Sequence, residues 1–108
     1  MFSDKLKQLE GQYLVRTREE LALLRAQVPA SLQNDLAALQ EMQRLAHRIN
    51  GSGAMLGFKL ISEAAAQVER ILRRADPVPS ELEWQNITLH LQHIDDELLR
   101  LRPTPSNE

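Results

Sequence analysis

The sequence predicts an all-α protein, an antiparallel up-and-down four-helix bundle. Three observations carry this. Apolar residues recur every three or four positions along four segments, the period of a helix that buries one face. The connections between those segments are short, which sets neighbouring helices antiparallel. No strand-like alternation persists anywhere, and only four of the 108 residues are aromatic, so leucine, isoleucine, valine and alanine must fill the interior, as they do where helices pack on helices.

The first segment runs from about Ser3 to Val28, with Phe2, Leu6, Leu9, Tyr13, Leu21, Leu24 and Val28 on one face and Thr17 filling the gap. Ser3 is the expected N-cap, its hydroxyl placed to accept from an unpaired backbone N–H. Gly11 marks where the segment would bend or divide into two helices. Pro29 explains the break that follows, because a proline pushes the residue before it out of the helical region.

The second segment is expected to start near Ser31 and to turn Leu32, Leu36, Leu39, Met42, Ala46, Ile49, Gly53 and Leu56 inward. The third runs from about Phe58 to Ala75 with Ile61, Ala64, Ala65, Val68, Ile71 and Leu72 buried. "DPVPS" ends it, two prolines in five residues making a linker. A capping box, Ser80 with Glu83 three residues on, opens the fourth segment, whose inner face is Trp84, Ile87, Leu91, Ile94, Leu98 and Leu101. The bundle thus occupies residues 1–102, and the polar "PTPSNE" of residues 103–108 is expected to be a disordered tail.

Composition narrows the function. A formal net charge of −2 offers no general attraction to nucleic acid. The absence of cysteine removes disulfides and thiolate metal sites. No apolar run approaches the ~18 residues of a membrane span, and the N-terminus lacks the apolar stretch of a signal peptide, so a cytoplasmic domain is expected. The starting methionine and polar tail suggest an independent protein. No phosphate-binding loop is present and a second domain has no room, which excludes a nucleotide-dependent kinase.

The stretch "LAHRINGSGAMLG", Leu45 to Gly57, does not fit an ordinary bundle helix. It carries three glycines within seven residues, each interior one costing up to ~1 kcal/mol relative to alanine. His47 stands one step, ~100°, round from the inward Ala46, on the flank with Gln43, Arg44, Asn50 and Gly51. A histidine in that position is ordinarily a solvated surface residue. Gly53, on the inner face, fits a close helix contact, and Gly57 fits a C′ residue that ends the helix. Gly51 fits neither role. One turn beyond His47, it leaves that side of the imidazole bare, and Ser52 and Ala54 keep the surroundings small, so a partner's backbone or a phosphoryl group on the ring has room to approach.

These residues carry a family resemblance. "AHRINGSGAMLG" resembles the phosphoacceptor motif of histidine phosphotransfer (HPt) domains, roughly A-H-x-L-K-G-S-x-x-x-L-G. His47 matches the phosphorylated histidine, Ile49 the aliphatic that follows, Gly51 the glycine four residues on, and Leu56-Gly57 the closing pair. "LISEAAAQVE", with Ala65 before Val68-Glu69, looks like the family's next helix, and "YLVRTREELALLRAQ" like the preceding one; the similarity spans roughly Tyr13 to Leu101. One position departs from the motif: Asn50 stands where the family usually has lysine. A neutral amide is about half as strong a partner for a phosphoryl group as a cation. Arg44 and Arg48 flank His47, and Arg44 is close enough on the helix to compensate in part. Lys59, just past the turn, is another candidate, while an ordinary solvated face accounts equally well for Arg48.

The resemblance implies a phosphorelay intermediate. His47 would accept a phosphoryl group from the aspartate of a response-regulator receiver domain and pass it to another receiver, that of a hybrid histidine kinase being one such partner. The receiver would supply the Mg²⁺ and the acidic pocket, so the chain needs no cofactor of its own and acts as a phosphocarrier, not an enzyme. An exposed histidine works in a monomer, the expected state. Gln40, Gln43, Met55 and Lys59 are the docking residues expected around it. Asn50 favours one rival, a non-transferring HPt-like module that binds a receiver or kinase without being phosphorylated. A metal site is the other. "HLQHIDDE" puts His90 and His93 on one helix with Asp96 and Glu97 a turn beyond, but it reads as the polar face of the fourth helix, and the expectation is no metal.

Overall fold

The computed structural model describes residues 2–101, with side chains from Asp4 onward. In chain order it contains α1 (Phe2–Ala26), α2 (Val28–Leu32), α3 (Leu36–Leu56), α4 (Lys59–Arg74) and α5 (Glu81–Arg100). The four long helices form the expected all-α bundle. Paired contacts fix the directions: Arg18 meets Leu98 and Arg25 meets Asp95, Glu20 meets Arg48 while Tyr13 lies against Gly53, and His47 meets Glu69 while Asn50 meets Ser62. In each case one number rises as the other falls, so each long helix runs antiparallel to its neighbours. The extensive contacts are α3 with α4, α4 with α5, and α1 with α3.

The core follows the apolar period. Leu24, Met42, Leu45, Ala46, Ile49, Ile61, Val68, Ile87 and Ile94 are removed almost wholly from water, each large side chain contributing ~1.5–3 kcal/mol by burial. Leu14, Ala38 and Leu45 join the predicted inner faces. Gly57 ends α3 in the left-handed conformation, φ 84°, and the Phe58 amide closes back onto the Gly53 carbonyl at 2.8 Å. Phe58 is not the first turn of α4 but its N-cap residue, with its ring stacked on Tyr13 at 4.7 Å. The α5 capping box forms as expected: the Ser80 hydroxyl accepts from the Glu83 amide at 3.1 Å, and the Ser80 amide donates back to the Glu83 carboxylate at 2.8 Å.

Several local expectations are corrected. Helix α1 is under way at Phe2, so Ser3 is not its cap. It also passes through Gly11 without a break, since that position is exposed and nothing lies within 4 Å to force a bend. Leu6 and Leu9 stay 39% and 42% exposed, because Tyr13 already lies level with the end of α3 and the first turns of α1 project past it. The second segment does not begin at Ser31. Ser31 is buried in the short α2, where its hydroxyl donates to the Met42 sulfur at 3.2 Å; Asn34 then takes a left-handed turn, φ 65°. Asp35 caps α3 by accepting from the amides of Ala37 and Ala38 at 3.0 and 3.3 Å. Leu32 and Leu36 therefore point to solvent. The predicted tail, residues 103–108, lies outside the described residues.

Candidate functional site

Met42, Ala46 and Ile49, wholly buried, pin the inner face of α3 and thereby fix what its flank presents. His47 is on that flank with 69% of its side chain exposed. One turn on, Gly51 is exposed, and a Cβ placed there would meet nothing within 4 Å. The space beyond the ring is open.

Helix α4 supplies what holds the ring. The Oε2 atom of Glu69 lies 2.8 Å from His47 Nδ1, and only 8% of that carboxylate side chain is exposed. An ionised carboxylate only accepts hydrogen bonds, which assigns the imidazole hydrogen to Nδ1 and leaves the Nε2 lone pair free. The same Oε2 accepts a second hydrogen bond, from Nη2 of Arg73 one turn along α4. Gln40, Gln43, Arg44 and His47 from α3 and Glu69 and Arg73 from α4 line one open depression.

The remaining predicted residues divide between this depression and its surroundings. Arg44 lies in it but grips Glu41 through two bonds of 2.8 and 2.6 Å; the guanidinium holds the Glu41 carboxyl below its ordinary range. Arg48 turns the other way, toward the buried Glu20 of α1 at 3.1 Å. Asn50 is half-buried, its side-chain oxygen accepting from the Ser62 hydroxyl at 2.7 Å. Lys59 opens α4 ten residues before Glu69, ~15 Å along the helix axis, beside the exposed Met55 and Leu60 at that end of the bundle.

Glu69 and Arg73 are absent from the predicted site. A carboxylate between the inward Val68 and Leu72 is a signal that a partner must exist, since a buried charge is costly when unpaired. What sequence spacing lacks is the α3–α4 register that makes the partner His47. His90 and His93, by contrast, meet each other edge to face at 5.9 Å. Burial, then the neighbouring His93, pushes the His90 imidazole below its ordinary value. Among the described residues no three histidine or carboxylate side chains converge as a metal site would require, and no helix is long and apolar enough to cross a membrane.

Compared with known families, residues 8–103 match the Hpt domain. Nothing among curated proteins or solved structures matches the chain.

Proposed function

The chain belongs to the Hpt domain family, the histidine phosphotransfer domains of phosphorelays, and from that premise we propose that His47 is its phosphoacceptor, taking a phosphoryl group from the aspartyl phosphate of one receiver domain and giving it to another. One observation carries the reading: an imidazole with 69% of its side chain exposed, whose Nδ1 is held by a buried carboxylate and whose opposite nitrogen makes no hydrogen bond among the described residues.

The chemistry asks little more of the protein. The Nε2 lone pair attacks phosphorus in line; as the N–P bond forms, the bond from phosphorus to the aspartyl oxygen breaks and its electron pair returns to the receiver's carboxylate. The ring gains positive charge as its lone pair enters the new bond, and Glu69, hydrogen-bonded at Nδ1, stabilises that charge. Transfer to the second receiver is the reverse step. A rigid helix supplies the position, and the receiver supplies its acidic pocket and Mg²⁺. The chain serves as a cytoplasmic, monomeric phosphocarrier that docks through the surface around His47, with Gln40, Gln43, Met55 and Lys59 in contact. A non-transferring module that merely binds a receiver is the second reading, favoured by the neutral Asn50, whose side-chain oxygen is engaged by Ser62.

The test is incubation with a phosphorylated receiver, comparing the natural chain with His47→Gln. The expected outcome is an acid-labile, alkali-stable phosphate on the former alone. Phosphate persisting on the variant rejects the assignment, and binding without transfer selects the second reading. Gly51→Gln should slow transfer while leaving the helix as stable or slightly more so; unchanged transfer would mean that the bare surface is irrelevant to docking.

A further inference from the structure

We propose that Arg73 is the phosphoryl-binding cation of this site, reaching the group on His47 from α4 and taking the part that neutral Asn50 leaves open on α3. The inference rests on the reading of His47 as the phosphoacceptor, and it begins from charge. A phosphoryl group brings about −1.5 to −2 at neutral pH, and here it would stand one ring-width from the Glu69 carboxylate. Like charges so close disfavour one another, and a cation within reach of both relieves that repulsion. Three arginines flank His47. Arg48 is turned to Glu20 on the α1 side, and Arg44 is clamped in two hydrogen bonds to Glu41. Arg73 is different: its partner already belongs to the site. Its Nη2 and His47 Nδ1 donate to one oxygen atom, Oε2 of Glu69.

Two donors on one oxygen stand no further apart than two hydrogen-bond lengths, ~6 Å. The Arg73 side chain is 62% exposed, so it can pivot about that shared oxygen. Its guanidinium has five N–H donors; one bond to Glu69 leaves the rest to grip phosphoryl oxygens in the fork geometry for which arginine is suited. Arg73 thus bridges two anions, the carboxylate that orients the ring and the phosphoryl group that the ring carries. Asn50 cannot do this as a neutral dipole, and Lys59 stands two to three turns away along α4.

A bland role must be separated from this one, in which Arg73 only neutralises the buried Glu69. The full chain and its Arg73→Gln, Arg73→Lys, Glu69→Gln and Glu69→Gln/Arg73→Gln variants are phosphorylated with phosphoramidate, a small donor that bypasses docking. Two quantities are then read: the equilibrium of phosphoryl exchange with a receiver domain, and the pH midpoint of the phosphohistidine ³¹P resonance. Arg73→Gln should move the equilibrium about tenfold toward the receiver, the loss of one charge-assisted bond, and raise the midpoint, because a cation favours the dianion. Arg73→Lys should fall between. The double variant should keep the same deficit relative to Glu69→Gln alone, and this comparison stands even where Arg73→Gln by itself folds poorly. Identical equilibrium and midpoint in the natural chain and Arg73→Gln overturn the proposal, as does a double variant indistinguishable from Glu69→Gln. Natural chain that accepts phosphate at His47 from neither phosphoramidate nor a phosphorylated receiver overturns the phosphoacceptor reading itself, a result distinct from normal phosphorylation with an indifferent Arg73.

Discussion

Two faces of this bundle carry histidines among carboxylates and arginines, and they are built differently. On the α3–α4 flank, His47 is open to solvent and tethered at one nitrogen by a buried carboxylate from the neighbouring helix. In the α4–α5 groove, His90 and His93 come from one helix and face each other, while the nearby Glu97 is held by Arg100 at 2.9 and 2.6 Å. Exposure alone does not separate the two faces. A second helix does: its carboxylate holds the hydrogen of His47 on Nδ1 and frees Nε2, whereas a histidine without such a partner is not held in that tautomer.

That contrast can be broken by substitution. The largest expected effect is from His47→Gln, which should abolish phosphotransfer, whereas His90→Gln and His93→Gln should leave its rate unchanged; a rate assay with a phosphorylated receiver checks both. Next is Glu69→Gln. Glutamine can still accept from Nδ1, but without charge, and a charge-assisted hydrogen bond is about twice as strong as a neutral one. The difference of about 1 kcal/mol should slow transfer by roughly five- to tenfold, with no comparable loss from Asp96→Asn in the other face.

The two neighbouring glycines sharpen the same contrast in stability. A Cβ at Gly53 would stand 2.7 Å from the Tyr13 hydroxyl and 3.3 Å from Ser62 Cβ. Tyr13 is buried and stacked on Phe58, so it cannot easily yield. Gly53→Ala should cost ~1–3 kcal/mol in urea unfolding, while Gly51→Ala, with open space around it, should add up to ~1 kcal/mol. The smallest effect belongs to His90. Its folded-state value is lowered, so the unfolded chain binds the extra proton first. His90's contribution to stability is therefore fully present above pH 6.5, the ordinary histidine value, and declines as pH falls through the lower folded value. His90→Gln should flatten that slope in unfolding curves recorded between neutral and mildly acid pH.

Much of this was legible in the sequence where the information is local. The inner faces of α3 and α5, the capping box at Ser80 and the left-handed Gly57 all follow from spacing within a few residues. The break before α3 was not, because Leu32 and Leu36 continue the helical period straight through it, and the competing chemistry, Asn34 in a left-handed turn and Asp35 as cap, outweighed that period. His47 and Gly51 could be singled out because weak helix formers on an outer face need a reason. Glu69 lies 22 residues from His47, and Arg73 further still; they join the site only through the register of α4 against α3, which periodicity does not encode.

The most direct test is a phosphorus–nitrogen coupling spectrum of the phosphorylated chain carrying ¹⁵N-labelled histidine. Coupling of phosphorus to Nε2 of His47, with Nδ1 still protonated and hydrogen-bonded, is the predicted result. Phosphorus coupled to Nδ1 of that ring, or to either nitrogen of His90 or His93, would contradict it.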